Sequence, residues 1–302
     1  MKTVGIIDLG SNSMRASVVC FSENSHRTIF MDKRTVKLSE NMNNDMNLKP
    51  EAIVRTINAL NEFKNIFNSL GVTNIVAVAT AAVRKAANGK EFLVKVKNDT
   101  GIDLEIIDGK KEAEFDYLAV KNTVDFEDYI IMDIGGGSTE IIGIRSGKLC
   151  DFISIPYASR NITEVYLTPE NKQSILNAEK KIFDIVNEIK WLKLYKNVPI
   201  IGLGGCLRAI GKADASVHKV EYKTGNIVNI QFIKDLYNRT KEMSINERIE
   251  LFGESKGDII LGGAIPLISV ISILNPSGLH VSDKGVRDGI VYSVLMDTIK
   301  KA

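Results

Sequence analysis

Two stretches of the chain, "IIDLGSNSMRA" from Ile6 to Ala16 and "IMDIGGGSTEI" from Ile131 to Ile141, follow one pattern. Each runs through two apolar residues, Asp, an apolar residue, Gly, two small residues and Ser, and the two aspartates, Asp8 and Asp133, stand 125 positions apart. This duplication constrains the fold more than any other feature, because each copy opens the same succession of elements. In the first, a mostly apolar run over 3–9 predicts a strand covered on both faces, the turn Gly10 to Ser13 ends it, and strands follow over 13–21 and 26–36. In the second, a strand from Tyr129, the Gly-rich turn, a strand over 139–144, a tight turn at Ser146 and Gly147 and a strand over 149–155 repeat the meander. Connections this short join antiparallel neighbours and leave no room for a crossover helix.

Helices fill the intervals. From Pro50 to Leu70 the residues Ile53, Ile57, Leu60, Phe63, Ile66, Phe67 and Leu70 recur at helical spacing, with Pro at the start and Gly71 after the end. Strands are expected over 74–80 and 103–108, and a helix over 111–124 opened by Asp108 and Gly109. After the second meander a long helix over 169–194, a strand over 198–203, helices through Leu274, a strand over 279–282 and a last helix over 286–299 complete the chain. The chain has 302 residues, 44% of them hydrophobic, enough for two cores. The reading is therefore an α/β protein of two duplicated domains, 1–124 and 125–302, divided at the polar gap 123–128, the last helix being free to pack back on the first domain. The mostly apolar run Ile259 to Leu274 contains Pro266 and falls short of the ~20 residues that span a bilayer, so it reads as a buried helix.

An Asp at the end of a buried strand followed by a Gly-rich turn sets backbone N–H groups beside a carboxylate; the amides can hold phosphate oxygens and the acid a metal. On the residues alone, each Asp equally reads as a turn-capping side chain. Two copies are a stronger signal, since duplicated domains facing each other would grip phosphate from both sides. Gly204 and Gly205, after a strand and before a helix, offer a further anion site. Lys and Arg total 39 against 37 Asp and Glu, a net charge of +2. That balance lacks the basic excess of a nucleic-acid-binding domain, so attraction for any polyanion must be local, with Arg15, Arg34, Lys37, Arg208, Lys284 and Arg287 as candidates. Cys20, Cys150 and Cys206 lie too far apart for a zinc or redox motif, and the first ten residues contain an acid and lack a signal-peptide pattern. A cytoplasmic protein with reduced thiols and no membrane association is expected.

The duplicated turns resemble the two phosphate loops of the actin, sugar kinase and heat-shock ATPase superfamily. Within it, "DLGSNS", "VATAAVRKA", "DIGGGSTE", "GLGG" and "VSDKGVRDGIVY", in that order from Asp8 to Tyr292, resemble the exopolyphosphatase and guanosine pentaphosphate phosphatase family in its short, two-domain form. The resemblance implies two actin-like (ribonuclease H-like) domains facing a cleft. It implies hydrolysis of the terminal phosphoanhydride of inorganic polyphosphate, or alternatively of guanosine pentaphosphate, with an ATP-dependent kinase and a non-catalytic phosphate-ligand sensor as more distant options. The family's Gly-x-x-Glu-Ala motif, here "GKKEA", nominates Glu112 as general base, and Arg84 matches an arginine that approaches the reacting phosphate. Asp8, Asp133 and Glu140 are implied ligands of Mg²⁺ or Mn²⁺, ions that suit oxygen-only donors. Gly10, Ser11, Asn12 and Ser13, Gly135, Gly136, Gly137 and Ser138, Gly204 and Gly205, with Arg208 and Arg287, are the implied phosphate contacts. Without the resemblance Glu112 reads as a helix-start carboxylate, Arg84 as a surface arginine and Glu140 as a solvated strand residue. The chain departs from the family pattern at Lys110, Lys111, Glu114 and Cys206. The partner expected is inorganic polyphosphate or a phosphorylated guanosine nucleotide, with no nucleic acid; a homodimer is left open.

Overall fold

The computed structural model describes residues 2–22, 25–42 and 45–301, and side chains as far as 296. Its elements are β1 (Lys2–Leu9), β2 (Ser13–Phe21), β3 (His26–Thr35), α1 (Pro50–Ser69), β4 (Asn74–Ala79), α2 (Ala81–Lys85), α3 (Gly89–Thr100), β5 (Leu104–Ile106), α4 (Gly109–Val120), β6 (Tyr129–Ile134), β7 (Thr139–Arg145) and β8 (Lys148–Ile155). They continue with α5 (Ser159–Tyr166), α6 (Lys172–Asn187), a 3₁₀ turn (Lys190–Tyr195), β9 (Ile200–Leu203), α7 (Gly205–Val217), β10 (Ile227–Val228), α8 (Ile230–Glu242), α9 (Ile245–Phe252), α10 (Ile260–Leu274), β11 (Leu279–Val281) and α11 (Val286–Lys301). The chain forms two compact units, Met1–Ala119 with Val286–Ala302, and Val120–Gly285.

The first unit carries a five-stranded sheet in the order β3-β2-β1-β4-β5, the second a six-stranded sheet in the order β10-β11-β9-β6-β7-β8. In each, the first strand of the meander pairs antiparallel with the second and parallel with the strand that follows. The duplication holds residue by residue: Asp8 lies opposite Val78 and Asp133 opposite Leu203, so the strand that follows each meander keeps the same offset of 125 as the aspartates. This is the expected α/β fold of two duplicated units.

Alternation along β1 decides what covers each face. Ile7 and Leu9 join a core with Leu60, Phe63 and Phe67 of α1 and Phe92 and Val96 of α3. Val4 and Ile6 point the other way, into a cluster with Val19, Phe21, Phe115 of α4 and Val286, Ile290 and Val291 of α11. Those α11 side chains complete the first unit, the packing back that the sequence reading left open, while the boundary falls at Val120 and not at 124/125. In the second unit α10 is buried along nearly its whole length, as its composition predicts, and packs with Ile130, Met132 and Ile134 of β6.

The expected helix over 169–194 divides instead. Asn171 Oδ1 accepts from the Ser174 N–H (2.9 Å) and Ser174 Oγ from the Asn171 N–H (2.9 Å), a reciprocal cap that starts α6 after Pro169. α2, α3 and α5 had no counterpart in the sequence reading, and α4 ends at Val120, four residues early. Among the described residues no helix is long and apolar enough to cross a membrane.

Candidate active site

The two loops are the same turn made twice. The Gly10 N–H donates to the Ser13 carbonyl (3.0 Å) and the Gly135 N–H to that of Ser138 (3.1 Å). In each unit the segment following the third meander strand then takes up the loop carbonyls. In the first, the Val36 and Lys37 N–H groups donate to the Asn12 carbonyl (3.1 and 2.9 Å) and the Ser39 N–H to that of Ser11 (3.0 Å). In the second, the first turn of α5 does this: the Ser159 and Arg160 N–H groups donate to the carbonyls of Gly135 (3.2 Å) and Gly136 (3.0 Å), and Asn161 Nδ2 to that of Gly137 (3.1 Å). With its carbonyls committed to its own unit, each loop offers a ligand N–H and hydroxyl donors, which suits an anion.

The acids are where the copies differ. In the β6–β7 ladder Asp133 stands directly opposite Glu140; at the equivalent positions of the first unit Asp8 stands opposite Arg15. One acid thus faces a guanidinium and the other a second carboxylate. Glu140 is only 1% exposed, not solvated, and Ser154 Oγ donates to its Oε1 (2.6 Å). Like charges directly opposite on a sheet destabilise each other, and oxygen donors so placed fit a hard divalent cation. Among the described residues no group of three or more His, Cys, Asp and Glu side chains is gathered to hold a metal. Asp8 belongs to the first unit, so the acids brought together within the second are the Asp133–Glu140 pair.

Gly204, at the end of β9, has φ +92°, and a Cβ there would collide with the Ile134 carbonyl and lie 2.8 Å from Asp133 Oδ1. The glycine therefore admits the acid against the start of α7. Arg208, one turn into α7, lies beside Tyr222, whose hydroxyl pKa is raised by burial against the opposing effect of that guanidinium.

In the first unit the structure joins two residues that the sequence assigned separately. Arg84, at the end of the short α2, donates from Nη1 to Glu112 Oε2 (3.0 Å) and to the Ile107 carbonyl (2.7 Å). Glu112 sits in the first turn of α4, where Asp108 Oδ1 caps the Lys111 N–H (2.8 Å), and is 6% exposed. Arg84 is thus no surface arginine: it fixes the orientation of the carboxylate while keeping a positive charge beside it. Four of the remaining basic candidates are engaged locally. Arg287 Nη2 lies 3.3 Å from both oxygens of Asp288, Arg34 pairs with Asp32 and with Glu62 (3.0 Å), and Lys37 and Lys284 approach Glu40 and Asp283 at 4.0 Å.

Four residues at these sites were not singled out from the sequence. Ser154 binds Glu140, Asn161 anchors the second loop, Asp116 lies fully buried one helical turn beyond Glu112, and Lys256 lies over Gly205. Only Asp116 carried a signal, the i,i+4 spacing from Glu112.

The chain matches the Ppx/GppA phosphatase family over residues 18–298. An exopolyphosphatase from Cytophaga hutchinsonii shares its fold with a TM-score of 0.89 at 22% identity, the match covering 98% of each chain. A Ppx/GppA family member from Aquifex aeolicus aligns with a TM-score of 0.78 at 28% identity, again over 98% of each chain. With a family match across most of its length and both loops built as described, the chain belongs to the Ppx/GppA phosphatase family and is a phosphoanhydride hydrolase.

Proposed function

We propose that the chain is a metal-dependent exopolyphosphatase, releasing orthophosphate from the end of inorganic polyphosphate. The observation that carries this reading is the Arg84–Glu112 contact, a buried carboxylate held by a guanidinium in the unit that also presents the first phosphate loop. Water attacks the terminal phosphorus, Glu112 takes the proton of the attacking water, and the bridging P–O bond breaks, leaving a chain one phosphate shorter. Arg84 keeps the carboxylate in place and adds positive charge for a phosphoryl oxygen. The loop donors at Gly10 to Ser13 and Gly135 to Ser138 bind phosphate oxygens. Asp133 and Glu140 are the residues that would hold Mg²⁺ or Mn²⁺, which when bound would neutralise phosphate charge.

The reading is tested by measuring orthophosphate release from long polyphosphate, guanosine pentaphosphate and ATP in parallel, with Mg²⁺ and with EDTA. Preferential release from polyphosphate that is lost in EDTA is expected. Preference for guanosine pentaphosphate would move the substrate assignment to the nucleotide, and full activity in EDTA would remove the metal.

A further inference from the structure

The structure assigns Lys256 a place in the phosphate site: we propose that its ammonium binds a phosphate oxygen of the substrate at the start of α7. The proposal rests on reading that site as one for a phosphoanhydride polyanion. Where a Cβ would stand on Gly205, the first residue of α7, lie Lys256 Cε at 2.5 Å and Nζ at 2.6 Å. Gly205 is therefore glycine because the end of the lysine side chain occupies that space. The preceding Gly204 is packed in the same way against Asp133 Oδ1. An acid and an ammonium thus sit on consecutive glycines, yet among the described residues Lys256 makes no ion pair or hydrogen bond through its side chain.

The backbone makes this placement deliberate. Lys256 lies in the turn between α9 and α10, its N–H donating to the Gly253 carbonyl (3.0 Å) and its carbonyl accepting from the Ile259 N–H (3.0 Å), so both sides of the residue are fixed. The ammonium is held at the positive end of a 13-residue helix, where a cation is disfavoured unless an anion lies with it. Two positive features that converge beside a phosphate loop match the chemistry of a phosphate oxygen. Lysine supplies this as a point charge that follows the ligand, in contrast to the fixed fork of Arg84.

Two experiments test the assignment. In the first, the intact protein is labelled with an amine-reactive acetylating reagent with and without saturating inorganic tripolyphosphate, and lysine modification is read by mass spectrometry while calorimetry follows binding. Lys256 should be protected at least about fivefold and the exposed Lys219 not at all. Binding with Lys256 left reactive would overturn this assignment alone, whereas absence of tripolyphosphate binding would overturn the polyphosphate reading and the assignment with it.

In the second, Lys256→Gln should lower kcat/KM for polyphosphate about tenfold and reduce the slope of log(kcat/KM) against log[salt] by about one, the signature of one lost phosphate contact by analogy with nucleic acids. Lys256→Arg should recover most of both. Gly205→Ala should reproduce the glutamine variant with little change in thermal stability, because the atoms that must move aside are the far end of a flexible side chain. A glutamine variant with lowered stability and an unaltered salt slope would make Lys256 a packing residue.

Discussion

Replacing Glu112 by Gln separates the proposed base from the ion pair that holds it. The substitution keeps the size of a side chain that is 8% exposed and keeps an oxygen facing Arg84 Nη1, 3.0 Å away, so the geometry survives while the proton acceptor is lost. Loss of a general base costs about 10²- to 10⁴-fold in rate, or about 3–5 kcal/mol of barrier at 1.36 kcal/mol per decade. The accompanying change in stability is small. A charged hydrogen bond worth about 1.5–3 kcal/mol becomes a neutral one worth about 0.5–1.5, a difference near 1 kcal/mol, or a few degrees in Tm. Glu112→Ala is the less useful variant, because it leaves a guanidinium that is 21% exposed without its carboxylate. The assays are initial-rate phosphate release at saturating polyphosphate, thermal unfolding, and calorimetric binding of tripolyphosphate. The expected result is a kcat lower by at least 10², affinity within about twofold and a Tm lower by a few degrees. A folded variant with kcat within tenfold of the parent would refute the assignment. Equal loss of kcat and affinity would make Glu112 a binding residue.

Glu140→Gln keeps the acceptor for Ser154 but relieves the opposition to Asp133, so without divalent cations its Tm should rise by about 1–3 °C. Its stabilisation by Mg²⁺ should disappear and activity fall at least tenfold; a Mg²⁺-induced Tm rise equal to the parent's would remove the pair as the cation site. Gly204→Ala, forced against the Ile134 carbonyl and Asp133 at φ +92°, should lose about 1–3 kcal/mol and most of its activity, and a variant matching the parent in both would contradict the packing described. Burial holds His280, stacked edge-on to Phe126, below its ordinary pKa of 6.5. Above about pH 6.5 it is neutral folded or unfolded and contributes no slope; below that the unfolded chain protonates first, so stability falls with pH. His280→Gln should flatten this acid limb, and an unchanged difference in unfolding free energy between pH 7 and pH 5.5 would exclude the mechanism.

The duplicated meander was legible because strand alternation and Gly-Ser turns are local signals, and the same offset carries into the sheet ladders. Contacts set by register or by tertiary packing were not. The tight turn pairs Arg145 with Lys148, and a strict ladder from there would put Glu140 opposite Ile153; the bulge at Gly143 and Ile144 moves it opposite Ser154, which supplies the hydroxyl. The Arg84–Glu112 contact spans 28 positions and depends on how β4 and β5 end beside each other. The short α5 has Ala158 at its N-cap without a side-chain cap bond, and its first turn is fixed by the second loop's carbonyls. Lys256 sits in a turn without periodicity, visible only through the crowding at Gly205.

The membership of α11 in the first unit bears on the order in which the halves mature during synthesis. Residues 120–285 form an uninterrupted segment that contains every strand of its own sheet and can close as soon as it leaves the ribosome. The first unit cannot, although its strands are made earlier, because Val4, Ile6, Val19 and Phe21 wait for Val286, Ile290 and Val291. A nascent chain stalled at Gly285 should therefore show a protease-resistant second half and a cleavable, chaperone-binding first half, and resistance throughout would exclude this order. The unit whose strands are made first is the unit whose core is completed second.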